Sequence, residues 1–238
     1  MANKITKHIP NTITCLNLFC GCVATYYGFI GDYEASLIFI IFGAVFDFFD
    51  GLAARALQAF SPIGKDLDSL ADLITFGLAP SSLIFSTLQE FYPAYSGIGI
   101  WAYLPYLAFL IAVFSGLRLA KFNNDTRQTS SFIGLPVPAN ALFWSSLIVG
   151  TYLGDLIIIF AIIPYLIIVL IPVSCWLLVS EIPMFSLKFK NLSWKDNHVR
   201  YIFLLGSLIL LAMFQIIGIA LIVVWFILLS LFTQRKQA

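Results

Sequence analysis

The chain has 238 residues, of which 61% are apolar and only 11% charged, with a mean hydropathy of +0.96 and a net charge of +1. Soluble domains average roughly 25% charged residues, so too little polar surface is present to cover a water-soluble fold. The near-zero net charge gives no bulk attraction for nucleic acid, and the natural partner for such a surface is a lipid bilayer.

The basic start, residues 1–10, runs into an apolar stretch that carries Asn11, Thr12, Thr14 and Asn17 and is followed by no small-x-small cleavage pattern. It reads as a retained first helix rather than a leader. A bilayer core needs about 20 apolar residues of helix. Candidate spans lie near 12–30, 35–57, 67–88, 98–120, 137–154 and 156–180. The final apolar run, 201–232, would be about 48 Å long as one helix, too long for one crossing without heavy tilt. Gln215 and Gly218 interrupt it. The four cysteines, Cys15, Cys20, Cys22 and Cys175, form no Cys-x-x-Cys pair and read as small apolar packing residues.

Charge placement decides the number of spans. With eight, every Lys and Arg falls on one side: Lys4 and Lys7, Arg55 and Lys65, Arg118 with Lys121 and Arg127, Lys188 to Arg200, and Arg235 with Lys236. The opposite loops hold Asp32, Glu34, Glu90 and Asp155 and no basic residue. That is the positive-inside pattern, and a seven-span chain would break it. The expectation is an all-α, polytopic transmembrane helix bundle in the cell (inner) membrane, with both termini cytoplasmic. It divides into a six-helix core, 1–185, and a C-terminal transmembrane hairpin, 199–234.

Carboxylates inside a membrane are costly unless neutralised, and usually mark function. Asp47 and Asp50 are three apart near one end of the second span, and Asp68 and Asp72 are four apart in the third. Both spacings put the pair on one helical face. The short connection makes the two helices antiparallel neighbours, so the acidic faces meet at the cytoplasmic end. With one Arg nearby and no His or Cys at ligand spacing, an oxygen-only cluster favours hard cations such as magnesium, manganese or calcium. Four carboxylates with some bridging can hold two such ions, the arrangement that clamps an in-line phosphoryl displacement. Gly51 and Ala54 share the face of Asp47 and Asp50 and leave room for a bulky ligand. Arg55 stands one position round, placed to pair with a phosphate.

The pattern Asp47-x-x-Asp50-Gly51-x-x-Ala54-Arg55, eight residues, then Gly64-x-x-x-Asp68-x-x-x-Asp72 resembles the full signature of the CDP-alcohol phosphotransferase family. The resemblance implies six core helices, a homodimer and an active site open to the cytoplasm. It implies that Asp47, Asp50, Asp68 and Asp72 bind two divalent cations, and that Asp72 is also the general base. By the same likeness Pro10, Asn11, Thr14, Asp50, Gly51, Ala54, Arg55 and Gly64 surround the donor, CDP-diacylglycerol.

The stretch Ile9 to Gly21 resembles the opening of the phosphatidylserine synthase branch of that family, as do Arg118-Leu119-Ala120-Lys121-Phe122-Asn123 and Phe132-x-Gly134-Leu135-Pro136-Val137-Pro138-Ala139. The implied acceptor is L-serine, a zwitterion whose carboxylate needs cationic or donor partners. Arg118, Lys121, Arg127, Gln128 and Thr129 supply them. Three alternatives stay open: the same chemistry with glycerol phosphate or inositol phosphate as acceptor, an ether-linked donor lipid, and a cation transporter lined by the aspartates. The absence of polar residues from the outer halves of the helices argues against a transport path.

Overall fold

The computed structural model describes residues 8–91, 99–125, 132–154, 157–185 and 193–234. The chain is all-α apart from one two-residue strand pair. In order come α1 (Ile9–Ile30), α2 (Tyr33–Ala56), α3 (Pro62–Asp72), a π-helical turn (Leu73–Leu78) and α4 (Ala79–Phe91). Then follow a 3₁₀ segment (Gly99–Ala108), α5 (Phe109–Asn124), β1 (Phe132–Ile133), α6 (Val137–Leu153), α7 (Ile157–Val179), β2 (Pro183–Met184) and α8 (Trp194–Gln234). Six stretches of described helix are long and apolar enough to cross a membrane, and the shorter α6 is also apolar. The protein is a multi-pass membrane protein.

Local chemistry sets the helix ends near the site. Pro10 opens α1, where its missing N–H costs nothing, and Gly31 closes it at φ 82, a left-handed value natural to glycine. Asp32 caps α2 by accepting from the Ala35 N–H at 3.0 Å. Ser61 caps α3 by accepting from the Gly64 N–H at 3.0 Å, with Pro62 in the first turn.

Paired contacts fix the directions. Thr14 meets Asp50 and Ser36 meets the Ala24 carbonyl, so α1 and α2 are antiparallel. Tyr33 meets Glu90, so α2 and the third span are antiparallel as well. Asn123 meets Ser69 and Gly77 packs on Ser115, which reverses α5 against the third span. Asn140 meets Ser174, and Gly134 packs on the Leu178 carbonyl, reversing α7 against α6. The core between these helices is apolar, with Trp144, Phe76, Ile40, Leu83 and Ile167 fully enclosed.

The last helix is two limbs. At Gln215 the backbone turns to φ 48, ψ −121, outside helical geometry. Phe203 and Phe226 then lie with ring centroids 5.9 Å apart, whereas one straight helix would separate them by about 34 Å. A Cβ on Gly218 would sit 2.6 Å from the Leu210 carbonyl oxygen, so the limbs touch at the turn. The tip rests against Gly150 of α6 through Ile217. The open end packs with Leu135 and Met184 beside the β1–β2 pair. The chain therefore passes the bundle eight times.

Two boundaries differ from expectation. The third span starts at Pro62 rather than near 67, because the Ser61 cap and Pro62 begin a helix before the apolar run does. The first half of the fourth span is 3₁₀ rather than α, with Pro105 inside it. Among the described residues, Arg55, Lys65, Arg118, Lys121 and Arg200 lie at one end of the bundle, and Asp32, Glu34 and Glu90 at the other.

Candidate active site

The site forms where α1, α2 and α3 meet at the basic end. One carboxylate oxygen from each of Asp47, Asp50 and Asp68 lies within 4.8 Å of the others. Two oxygens on opposite sides of one ion, each 2.0–2.6 Å from it, are about 4–5 Å apart, so this cluster has the dimensions of a single cation shell. Asp72 lies one helical turn deeper than Asp68 and stands directly beside Asp47. Asp50 and Asp72 are buried and Asp47 and Asp68 half-buried. The donors are all oxygen, like charges crowd together, and no His or Cys belongs to the cluster. The set therefore fits a divalent hard cation.

A cavity of about 220 Å³ opens beside the cluster. Its walls include Pro10, Asn11, Thr14, Asp50, Gly51, Ala54, Gly64 and Asp68, bringing together most of the residues singled out by the signature and the Pro-Asn-x-x-Thr stretch. Thr14 Oγ1 donates to Asp50 Oδ2 at 2.6 Å, with the Pro10 carbonyl oxygen 3.0 Å from the same hydroxyl. A Cβ on Gly64 would fall 2.9 Å from Asn11 Oδ1, so a larger residue here would displace the Asn11 side chain from the cavity wall. Gly51 faces open space except for Arg55 Nη1, 3.7 Å from where its Cβ would be. Arg55 itself is exposed and bends back over Gly51, at the rim rather than in the wall.

Of the expected acceptor residues, Arg118 and Lys121 line one small pocket against the end of α7 but make different contacts. Arg118 is buried, 7% exposed, and near enough to Asp72 for their charges to interact. Its Nε and Nη2 have no hydrogen-bond partner, and its Cζ lies 5.0 Å from the Phe122 ring centroid. Lys121 turns away and donates Nζ to the Val179 carbonyl oxygen at 3.2 Å, at the end of α7. Arg127, Gln128 and Thr129 lie outside the described residues.

Several residues at the site carry no motif. Ala59, Phe60, Ser61 and Lys65 complete the cavity wall. They follow from the tight α2–α3 turn, whose left-handed Gln58 (φ 51) folds 59–61 back over the cavity. Asn17 is buried against Asp72, with Nδ2 donating to Asp72 Oδ1 at 3.4 Å. Its signal in the sequence was its spacing, one turn beyond Thr14 in an apolar run. Ser115 Oγ is buried without a partner one turn from Arg118, and nothing in its sequence context marks it.

The chain is similar to known proteins over more than half of its length. It is 41% identical over 132 residues to a CDP-diacylglycerol–serine O-phosphatidyltransferase of Bacillus subtilis (strain 168), covering 56% of this chain and 70% of that protein. It is 32% identical over 139 residues to the protein of that name from Helicobacter pylori (strain ATCC 700392 / 26695), covering 56% of this chain and 54% of the relative. An archaetidylserine synthase of Methanothermobacter thermautotrophicus is 32% identical over 158 residues, which make up 64% of each chain. The matched stretch thus spans only about half to two thirds of the length of these last two relatives. The family model for CDP-alcohol phosphatidyltransferases matches residues 7–180, from the first turn of α1 to the end of α7, and so takes in every aspartate of the cluster and the whole cavity wall. The chain belongs to the CDP-alcohol phosphatidyltransferase family.

Proposed function

We propose that this protein transfers the phosphatidyl group of CDP-diacylglycerol to L-serine, releasing phosphatidylserine and CMP. The observation that carries this reading is the meeting of Asp47, Asp50 and Asp68 beside the α1–α2–α3 cavity, with the buried guanidinium of Arg118, whose Nε and Nη2 have no hydrogen-bond partner, near Asp72. The names of the relatives support the acceptor, since the Bacillus, Helicobacter and Methanothermobacter proteins are all named for serine.

Each residue has a task. Pro10, Asn11, Thr14, Gly51, Ala54 and Gly64 shape the cavity that takes the CDP portion, and Arg55 at the rim pairs with a phosphate. Asp47, Asp50, Asp68 and Asp72 would hold two divalent cations, magnesium or manganese. When bound, these ions would offset the charge of the diphosphate and of the departing CMP. Arg118 pairs with the carboxylate of serine and turns its hydroxyl toward Asp72. Asp72 takes the hydroxyl proton on its carboxylate as the serine oxygen attacks the phosphorus attached to diacylglycerol. The P–O bond to CMP breaks in the same displacement, and the electron pair leaves with CMP. Among the described residues no Cys or His lines the cavity, which supports direct displacement over a covalent intermediate.

The segregation of Lys and Arg at the site end of the bundle supports an active site and termini on the cytoplasmic side. The family resemblance supports a homodimer. The test is CMP release by the purified protein in the presence of CDP-diacylglycerol and one alcohol at a time: serine, glycerol phosphate and inositol phosphate. Serine is expected to be the acceptor used. Turnover with glycerol phosphate or inositol phosphate but not serine would overturn the acceptor, and no turnover with any would overturn the reaction.

A further inference from the structure

The group that steadies Asp72 is not one of the signature residues. Asn17 has no exposed surface (0%), and its Nδ2 donates to Asp72 Oδ1 at 3.4 Å. Its Oδ1 is buried with no hydrogen-bond partner. A buried amide with an unmet acceptor costs stability and calls for an explanation beyond packing.

The surroundings hold this amide in place. Thr75, three residues beyond Asp72, donates Oγ1 to the Asn17 carbonyl oxygen at 3.0 Å. Two glycines let the three helices close around that bond. A Cβ on Gly21 would lie 2.3 Å from Thr75 Oγ1 and 2.8 Å from Thr75 Cα. A Cβ on Gly43 would lie 2.4 Å from Thr75 Cγ2 and 3.0 Å from Asn17 Oδ1. Winding changes at the same level: Asp72 ends an α-helix and Leu73–Leu78 continue as a π-turn. A π-turn widens the helix locally and re-aims its side chains, a device often found beside functional groups.

We propose that Asn17 is a positioning residue for Asp72: seated in the Gly21–Gly43–Thr75 crossing, its amide fixes the direction in which the Asp72 carboxylate meets the acceptor hydroxyl. Asp47 also lies against Asp72, and the Asn17 amide is the neutral donor that holds Asp72 Oδ1 among these like charges. The proposal rests on Asp72 serving as the base in the reading above.

The test compares Asn17→Ala, Thr75→Val and Thr75→Ser in the full-length protein in detergent. Misplacing a reacting group by about 1 Å costs on the order of 100-fold in rate, so Asn17→Ala is expected to lower kcat for CMP release by about 10- to 100-fold while the KM for CDP-diacylglycerol stays within about twofold. Thr75→Val should lower kcat in the same direction, and Thr75→Ser, which keeps the hydroxyl, should restore it. Manganese titrated into lipid-free protein and followed by electron paramagnetic resonance should bind Asn17→Ala at least about threefold more weakly, because a carboxylate of the ligand set has lost its anchor. If Asn17→Ala fails to fold, Asn17→Ser, too short to reach Asp72, carries the same comparison. A folded variant with wild-type kcat and wild-type manganese binding overturns the proposal. Wild-type protein that releases no CMP with serine overturns the functional reading instead, and the manganese titration then decides the role of Asn17 by itself.

Discussion

Arg118→Gln separates two roles that the buried guanidinium could hold. Its side chain is 7% exposed, and Nε and Nη2 have no partner within the protein. A hydrogen bond to a charged group is worth about 1.5–3 kcal/mol, and two such donors meeting one carboxylate put the loss at about 3 kcal/mol or more. At 1.36 kcal/mol per decade this is about 150-fold in kcat/KM for serine. The assay measures initial rates of CMP release, varying serine at saturating donor and then donor at saturating serine. The loss is expected in the serine dependence, with the donor KM within about twofold of wild type. Ethanolamine serves as control, since it keeps the amino alcohol and lacks the carboxylate. Wild-type protein should prefer serine strongly, and that preference should collapse in Arg118→Gln. The rival role is to balance the charge of Asp72, which would slow both alcohols by the same factor. An unchanged serine-to-ethanolamine ratio therefore refutes the assignment of Arg118 to the serine carboxylate.

Asp47→Asn and Asp72→Asn should each lower CMP release by about 1,000-fold or more while thermal unfolding in detergent stays near wild type, because the carboxylates serve the reaction rather than the packing. EDTA should stop turnover and added manganese or magnesium restore it; full-rate CMP release in chelator would remove the metal from the account. Gly218→Val forces a Cβ to within 2.6 Å of the Leu210 carbonyl oxygen at the hairpin turn. Overpacking of this kind costs about 1–3 kcal/mol, so the unfolding temperature should fall while kcat of the folded fraction is kept. At the opposite end, Glu90 accepts hydrogen bonds from Tyr33 at 2.7 Å and from Tyr152, tying α2, α4 and α6 together. Glu90→Gln should cost about 1–2 kcal/mol of stability, read by thermal unfolding, and leave CMP release unchanged.

The acidic cluster was legible in the sequence because it rests on local spacing. Asp47, Asp50, Asp68 and Asp72 sit at separations of three and four, and helical geometry alone aligns such pairs. The short α2–α3 connection brings the two acidic faces together without help from distant parts of the chain. The last helix turns at Gln215 and its limbs touch at Gly218, the two residues that interrupt the final apolar run. What the sequence hid depends on helices far apart in the chain. Asn17 and Asp72 are 55 residues apart, and an Asn in an apolar helix gives no sign of which carboxylate it will meet. Lys121 and Arg118 differ by one helical turn and look equivalent in a basic stretch. The packing of α7 against α5 gives them different partners in one small pocket, Lys121 a carbonyl at Val179 and Arg118 a buried place next to Asp72. The π-turn after Asp72 was hidden too, since Leu73–Leu78 has the composition of any apolar helix. Its winding follows from the close approach of Thr75 to Gly21 and Gly43, a contact among three helices. The residues proposed for the chemistry are thus written into two short segments, while those proposed to aim them come from packing between segments.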